Sequence, residues 1–586
     1  MPHATTPSPG LQAFILCGPG VSLNTFTSTP SDFPKALVPI ANRPMVWYSL
    51  DYCYRMGITD ITLITPHESA GALETALARD PALTSLPNPK PEILAPKDLM
   101  QTTGTGELFR LPEVQKAITD DFVVLPCDLV SEMDGARMLE TWMRLNPLGL
   151  SAKNGKRKSG LSVWYPTHGL DGVSTKKDET DFLATVLLDQ PAVPPPSTSL
   201  RSSLERIVMN MPTDTLNDKV EEEKGFLRLR QSLIRKHGRV KMRMKYRDAG
   251  FYVFPRWIKD FAAANEHFDS LSEDLLGWWA KAGWQGPELV EKLNLSTVLG
   301  SEAKDEDELD GQQDGTVDPS TLSSTKSAAP AVKPAFASRV KSSAGSLATP
   351  AIPSIPPIHA YIHPAPNSTA TTAPPSTTST PTTINPDPFI RRIDTSHQLL
   401  TISLYLAKQA PSSTSPLSHV QKVHPTASLG QQSRVSEADC LIAENVRVGM
   451  RANIKESVIG PNCEVGAYSR LTRCLLMEGA VVGEGVTLTG VIVGRRARVE
   501  GLKPKAEGPA GGESVEGEKR KSRGKGQEDE EDRTKLTDCE VAPKFVVEVG
   551  TEAKGEKFMA FDDAGSSGED GSEDNDGDDG GEEMAL

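Results

Sequence analysis

"IAENVRVGMRANIKESVIGPNCEVGAYSRLTRCLLMEGAVVGEGVTLTGVIVGRRARV", residues 442–499, carries an aliphatic side chain at Ile442, Val448, Ile454, Ile459, Val465, Leu471, Leu476, Val482, Leu488, Val493 and Val499. The steps between them are 6, 6, 5, 6, 6, 5, 6, 6, 5 and 6, so any three in succession span 17 residues. A helix would repeat every 3.6 residues and an open sheet every second one, and neither produces this spacing. A triangular parallel β-helix does, because each side takes about six residues and points one aliphatic into the stack. Glycine often follows the inward residue, as at Val448-Gly449, Ile459-Gly460, Val465-Gly466, Val482-Gly483 and Val493-Gly494. A single coil buries nothing alone, so only the stacked array is stable. The rhythm breaks in the mixed-charge insertion 501–535 and resumes at Leu536, Val541 and Val547, which places a β-helix over 420–560.

Upstream, residues 11–300 read as a mixed α/β domain. Ala13–Leu16 is an apolar run suited to a buried strand, and "MVWYSLDYCYRM" (45–56) has helical spacing and stops at Gly57. The next strands are expected at 58–66 and 121–130, the latter with Asp128 near its C-terminal end. Strands alternating with helices suggest a parallel sheet covered on both faces, with ligands at the C-terminal strand ends. Residues 301–354 and 364–388 are dominated by Ser, Thr, Pro and Ala and cannot offset the entropy of ordering. We expect a disordered linker and a disordered insertion there. Between and after them, 358–363 reads as a strand and 396–409 as a helix, so 355–410 is expected to complete the first domain.

Composition excludes several classes. No apolar run is long enough to span a membrane, and "MPHATTPSPG" at the start has no basic-then-apolar pattern of a secretory signal. The seven cysteines are scattered without a CxxC pair, which favours reduced thiols in a cytosolic protein over disulfides or zinc. Of the net charge of -15, eleven negative charges lie in the tail 561–586, which has no Lys or Arg and is expected to be disordered. The remaining body is nearly balanced, which argues against direct nucleic-acid binding. Basic stretches at 138–160 and 217–247 read as solvated loops or helix faces.

The candidate site begins at "CGPGVSLNTFTSTPSDFPKALVPI" (17–40), where an apolar strand enters a Gly-x-Gly turn and Pro34-Lys35 opens a second apolar run. Gly18 and Gly20, with Lys35 and Asp128, form a pattern suited to cradling phosphates. The order of Gly-rich loop, Pro-Lys, strand-end Asp and hexapeptide β-helix resembles the sugar-phosphate nucleotidyltransferase superfamily. That resemblance implies a nucleotidyltransferase-like (Rossmann-like) mixed-sheet α/β domain followed by a left-handed parallel β-helix of hexapeptide repeats. Active members carry Thr-Arg after the glycines, the Arg clamping phosphate, and an Asp holding magnesium. Here Val21-Ser22 stands in that place, Pro19 removes one N–H donor, and no second metal-binding Asp is assignable.

"FPKALVPIANRPMVWYSLDYCYRMGI", "DFVVLPCDLV", "RIDTSHQLLTISLYLAKQ" and "DCEVAPKFVVEVGTEAKGEKF" resemble the gamma-subunit family of eukaryotic translation initiation factor 2B, in a fungal-looking form with long insertions. The resemblance implies a cytosolic, non-catalytic regulatory and scaffold subunit without a cofactor or metal. Its implied partner is the epsilon subunit, within a decamer that exchanges GDP for GTP on initiation factor 2. Gly18, Gly20, Lys35 and Asp128 would then be a vestigial nucleotide site. An acidic tail with no aromatic beyond Phe561 favours gamma over epsilon, whose activity resides in an acidic and aromatic helical domain. Two alternatives stay open. One is an active sugar-phosphate nucleotidyltransferase resembling mannose-1-phosphate guanylyltransferases. The other is an acyltransferase on the β-helix, which needs a histidine there; His424 lies at its edge and none follows up to 560.

Overall fold

The computed structural model describes residues 8–18, 21–100, 102–147, 157–170, 173–174, 178–191, 193–196, 199–299, 355–365, 388–411, 415–501 and 533–559. The expected linker 301–354, tail 561–586, and nearly all of the expected insertions 364–388 and 501–535 lie outside the described residues.

The first domain is built on nine strands: β1 (Gln12–Leu16), β2 (Asp60–Ile64), β3 (Glu92–Leu94), β4 (Phe122–Pro126), β5 (Gly160–Pro166), β6 (Asp181–Leu187), β7 (Leu204–Pro212), β8 (Lys241–Phe254) and β9 (Ile358–Ile362). Their order across the sheet is β3-β2-β1-β4-β8-β5-β9-β7-β6. The first four are mutually parallel. Ala13, Phe14 and Ile15 of β1 are fully buried, as a strand covered on both faces requires. Beyond β4 the parallel reading fails: β8 runs antiparallel to both β4 and β5, and β7 antiparallel to both β9 and β6.

The reading of 217–247 as solvated loops or helix faces is also corrected in part. Residues 241–247 belong to β8, a 14-residue strand. Two of its cations share one carboxylate across the sheet, where Glu205 on β7 lies 3.0 Å from Lys241 and 2.8 Å from Arg243. A linear reading sees a run of cations; the compensating carboxylate is supplied by another strand.

After the long undescribed segment the chain returns as β9, which pairs parallel with β5 from Ile358↔Gly160 to Ile362↔Trp164. The helix Ser396–Lys408 follows. Thr395 accepts from the Gln398 amide and the Gln398 side chain accepts at the Thr395 amide, closing a capping box. Leu399, Ile402 and Leu406 of this helix share one core with Leu441, Val458, Leu475 and Ile492 of the β-helix. The two domains are therefore joined by apolar packing.

Residues 428–499 and 535–558 form three six-stranded parallel sheets, the sides of a prism. Val448, Val465, Val482, Val499 and Val547 stack in register on one side, and Ile454, Leu471, Leu488 and Leu536 on the next. Ile442, Ile459, Leu476, Val493 and Val541 line the third. All are at most 5% exposed. The insertion leaves the register intact, since Val499 still meets Val547 and Leu488 still meets Leu536. Corner residues take left-handed conformations, among them Asn445 (φ 55°), Asn462 (φ 57°) and Gly479 (φ 68°).

The glycine after an inward valine has a different cause. A Cβ on Gly466 would lie 2.5 Å from the carbonyl carbon of Gly483 in the next coil. Gly466→Ala should therefore force neighbouring coils apart and cost about 1–3 kcal/mol, read as a lower urea midpoint with the far-ultraviolet spectrum retained. All seven cysteines are buried and unbridged. Among the described residues no helix is long and apolar enough to cross a membrane.

Candidate functional site

The site lies where β1 and β4 end. Cys17 and Gly18 follow β1; Gly20 and Pro19 lie outside the described residues. A Cβ on Gly18 would meet nothing within 4 Å, so packing does not demand glycine there. The chain then makes a short turn at Val21–Leu23 and is tied to the β-helix. The Thr25 hydroxyl donates to Glu540 at 2.7 Å, and Asp32 pairs with Lys544 at 2.8 Å. Asn42 donates to the Ile459 carbonyl at 3.0 Å. The loop expected to cradle phosphate thus also serves as a contact between domains.

Lys35 opens a one-turn helix, Lys35–Leu37, behind Pro34, and reaches Asp128, two residues past β4. Its Nζ donates to Asp128 Oδ2 at 2.7 Å. The structure brings these two predicted residues into direct contact. It also adds a third that the sequence reading did not single out. The strand Ile390–Arg392 pairs antiparallel with Leu129–Ser131, placing Arg392 opposite Leu129. From there Arg392 Nε donates to Asp128 Oδ1 at 3.2 Å and its second guanidinium nitrogen to Oδ2 at 3.4 Å. The ladder continues outward: Arg392 pairs with Asp394 at 3.4 Å, Asp394 contacts Arg247, and Arg247 meets Glu179 at 2.5 Å. The one available signal was "RRID" (391–394), four residues with three charges inside an otherwise apolar returning segment.

Asp128 is 1% exposed. Burial opposes its ionisation, but the Arg392 guanidinium and the Lys35 ammonium outweigh that and hold the carboxyl well below the usual carboxylate range. Reciprocally, Lys35 loses by burial and gains more from Asp128, and ends raised. The triplet holds two cations against one anion, and Asp394 supplies a second carboxylate to Arg392.

A magnesium ion, which the nucleotidyltransferase resemblance implies, does not fit this arrangement. Both oxygens of Asp128 are engaged by cations, and a metal ion would have to displace a guanidinium and an ammonium. Asp248, the one carboxylate on β8, is turned to its own neighbours: it accepts from the Gly250 amide at 2.9 Å and from the Tyr252 hydroxyl at 2.5 Å. Burial raises the Asp248 carboxyl and pushes Asp181 up to about 6. Among the described residues no group of three or more His, Cys, Asp or Glu is placed to hold a metal.

Residues 436–518 match the family described as the GMPPB C-terminal domain. Over 290 residues, 50% of its length, the chain is 24% identical to the translation initiation factor eIF2B subunit gamma of Schizosaccharomyces pombe. That match covers 55% of the relative, so the chain spans about half the length of the curated relative it matches. The resemblance drawn from the residues is thereby supported: an eIF2B gamma-like nucleotidyltransferase fold carrying a hexapeptide β-helix.

Proposed function

We propose that this chain is a non-catalytic regulatory and scaffold subunit of the initiation factor 2B complex. It pairs with the epsilon subunit in the cytosol and promotes exchange of GDP for GTP on initiation factor 2. The observation that carries the reading is the occupation of Asp128 by Lys35 and Arg392. Nucleotidyl transfer needs fixed cations facing a developing phosphate charge. Here the cations face the protein's own carboxylate. The Gly18 loop, Lys35 and Asp128 are accordingly read as a site inherited with the fold and reused to brace it. The similarity to an eIF2B gamma subunit supports the assignment to that complex, and the flat parallel sheets of the β-helix suit subunit packing.

The test is release of labelled GDP from initiation factor 2. The chain alone should release none, while adding it to epsilon should raise the rate above that of epsilon alone. Exchange by the chain alone, or no stimulation by a stably bound pair, overturns the assignment. Deleting 536–560 should weaken pairing, because the last coils of the stack are lost; deleting the acidic residues beyond 562 should leave it intact. A magnesium-dependent pyrophosphate exchange with any nucleotide sugar, abolished by Asp128→Ala, would instead establish the active-transferase reading.

A further inference from the structure

The basic region has a second part that β8 does not account for. "GFLRLRQSLIRK" (225–236) folds beside a cavity of about 710 Å³ whose walls include Met209, Met211, Leu233, Phe268, Trp278 and Trp284. Leu227 and Leu229 are half-buried and line it, while Arg228 and Arg230 between and beyond them are exposed. The cavity's cations are Lys219, Arg228, Arg230, Lys281 and Lys292, against a single carboxylate, Glu288.

Little among the described residues neutralises this charge. Arg228 pairs with Glu223 at 2.8 Å, and Lys281 rests over the Trp278 ring at 4.3 Å. Lys219, Arg230, Lys281 and Lys292 have no carboxylate within 4 Å among the described residues. Burial lowers the Lys281 ammonium and the nearby Lys219 adds to that, against the opposing pull of Glu273 and Asp274. Beside the cavity in sequence, Phe226 is 73% exposed and Ile234 56% exposed. Large apolar groups left in water next to an apolar cavity mark a contact surface.

We propose that this lobe docks an acidic peptide segment of a partner protein, its bulky apolar side chains entering the cavity and its carboxylates meeting the cationic rim. The volume suits a few buried side chains. Phe226 and Ile234 extend the apolar surface past the cavity lining, which favours a peptide over a small molecule. Met, Leu, Phe and Trp side chains share the lining with the cations named above, which matches a segment carrying both bulky apolar and acidic side chains. Charge complementarity supplies steering and register, while the apolar anchors supply most of the affinity.

The test uses the full chain and a dye-labelled, 16-residue peptide alternating Asp or Glu with Leu and Phe, followed by fluorescence anisotropy. Saturable binding is expected, weakened at least tenfold by Arg230→Glu with Lys292→Glu, and weakened as salt screens the rim. Both substitutions are at exposed positions, and an unchanged melting temperature checks that the fold is kept. A peptide with Ser for Leu and Phe should bind at least tenfold more weakly; equal binding would mean a merely electrostatic surface and overturn the proposal. Tighter binding of an oligouridylate than of the acidic peptide would overturn it in favour of nucleic acid. Binding seen only after residues 561–586 are removed would make the chain's own acidic tail the occupant and overturn the assignment to a partner. No binding at millimolar peptide would sink it outright.

Discussion

Asp128→Asn is expected to destabilise the first domain by about 3 kcal/mol, because it leaves Lys35 without its carboxylate and Arg392 with only the longer contact to Asp394. Lys35 and Arg392 are 11% and 26% exposed at the side chain, so water replaces the lost carboxylate poorly. Denaturant unfolding reads the loss directly. The pH dependence follows from the sign of the shift. The Asp128 carboxyl titrates lower in the folded than in the unfolded chain. Its stabilisation is therefore complete above about pH 4, the ordinary carboxylate value, and is lost only as pH falls toward the lower folded value. The difference between wild type and variant should hold constant from pH 7 to 5 and close in stronger acid. Replacing all three residues with apolar ones of similar size should recover much of the loss, since no buried charge then lacks a partner. An Asp128→Asn variant that unfolds like the wild type would remove the bracing role proposed for this cluster.

Val482→Asp should be more damaging still. Val482 is 1% exposed, in register between Val465 and Val499, so an aspartate there puts an unpaired charge inside the prism. The lost apolar contact and the desolvated carboxylate together are worth about 4 kcal/mol or more. Each coil is held chiefly by its neighbours, so the defect should spread along the stack and appear as loss of the β-helix transition as a whole. The same change at exposed Arg470, or Glu484→Lys, should stay within about 0.5 kcal/mol. Comparable losses at inward and outward positions would contradict the prism.

The β-helix was legible in the sequence because its information is local. Each side of each coil repeats one requirement, an inward aliphatic every five or six residues, and the repeat survives an insertion that falls at a corner. The strands β1, β2 and β4 and the helix Met45–Arg55 were legible for the same reason, since their apolar runs and periods lie within one segment. Lys35 and Asp128 could be picked out as candidates, but not what they do. That depends on Arg392, which reaches Asp128 from 264 positions further along the chain, beyond two long segments of low complexity. Likewise Lys241 and Arg243 read as solvent-facing until Glu205 is found on β7. In each case the missing partner was a charge. Coulomb interactions act between groups that the fold brings together from distant parts of the chain, and a hydrophobic period carries no trace of them. Only the tertiary structure decided whether a cation was free to meet phosphate or already held by a carboxylate.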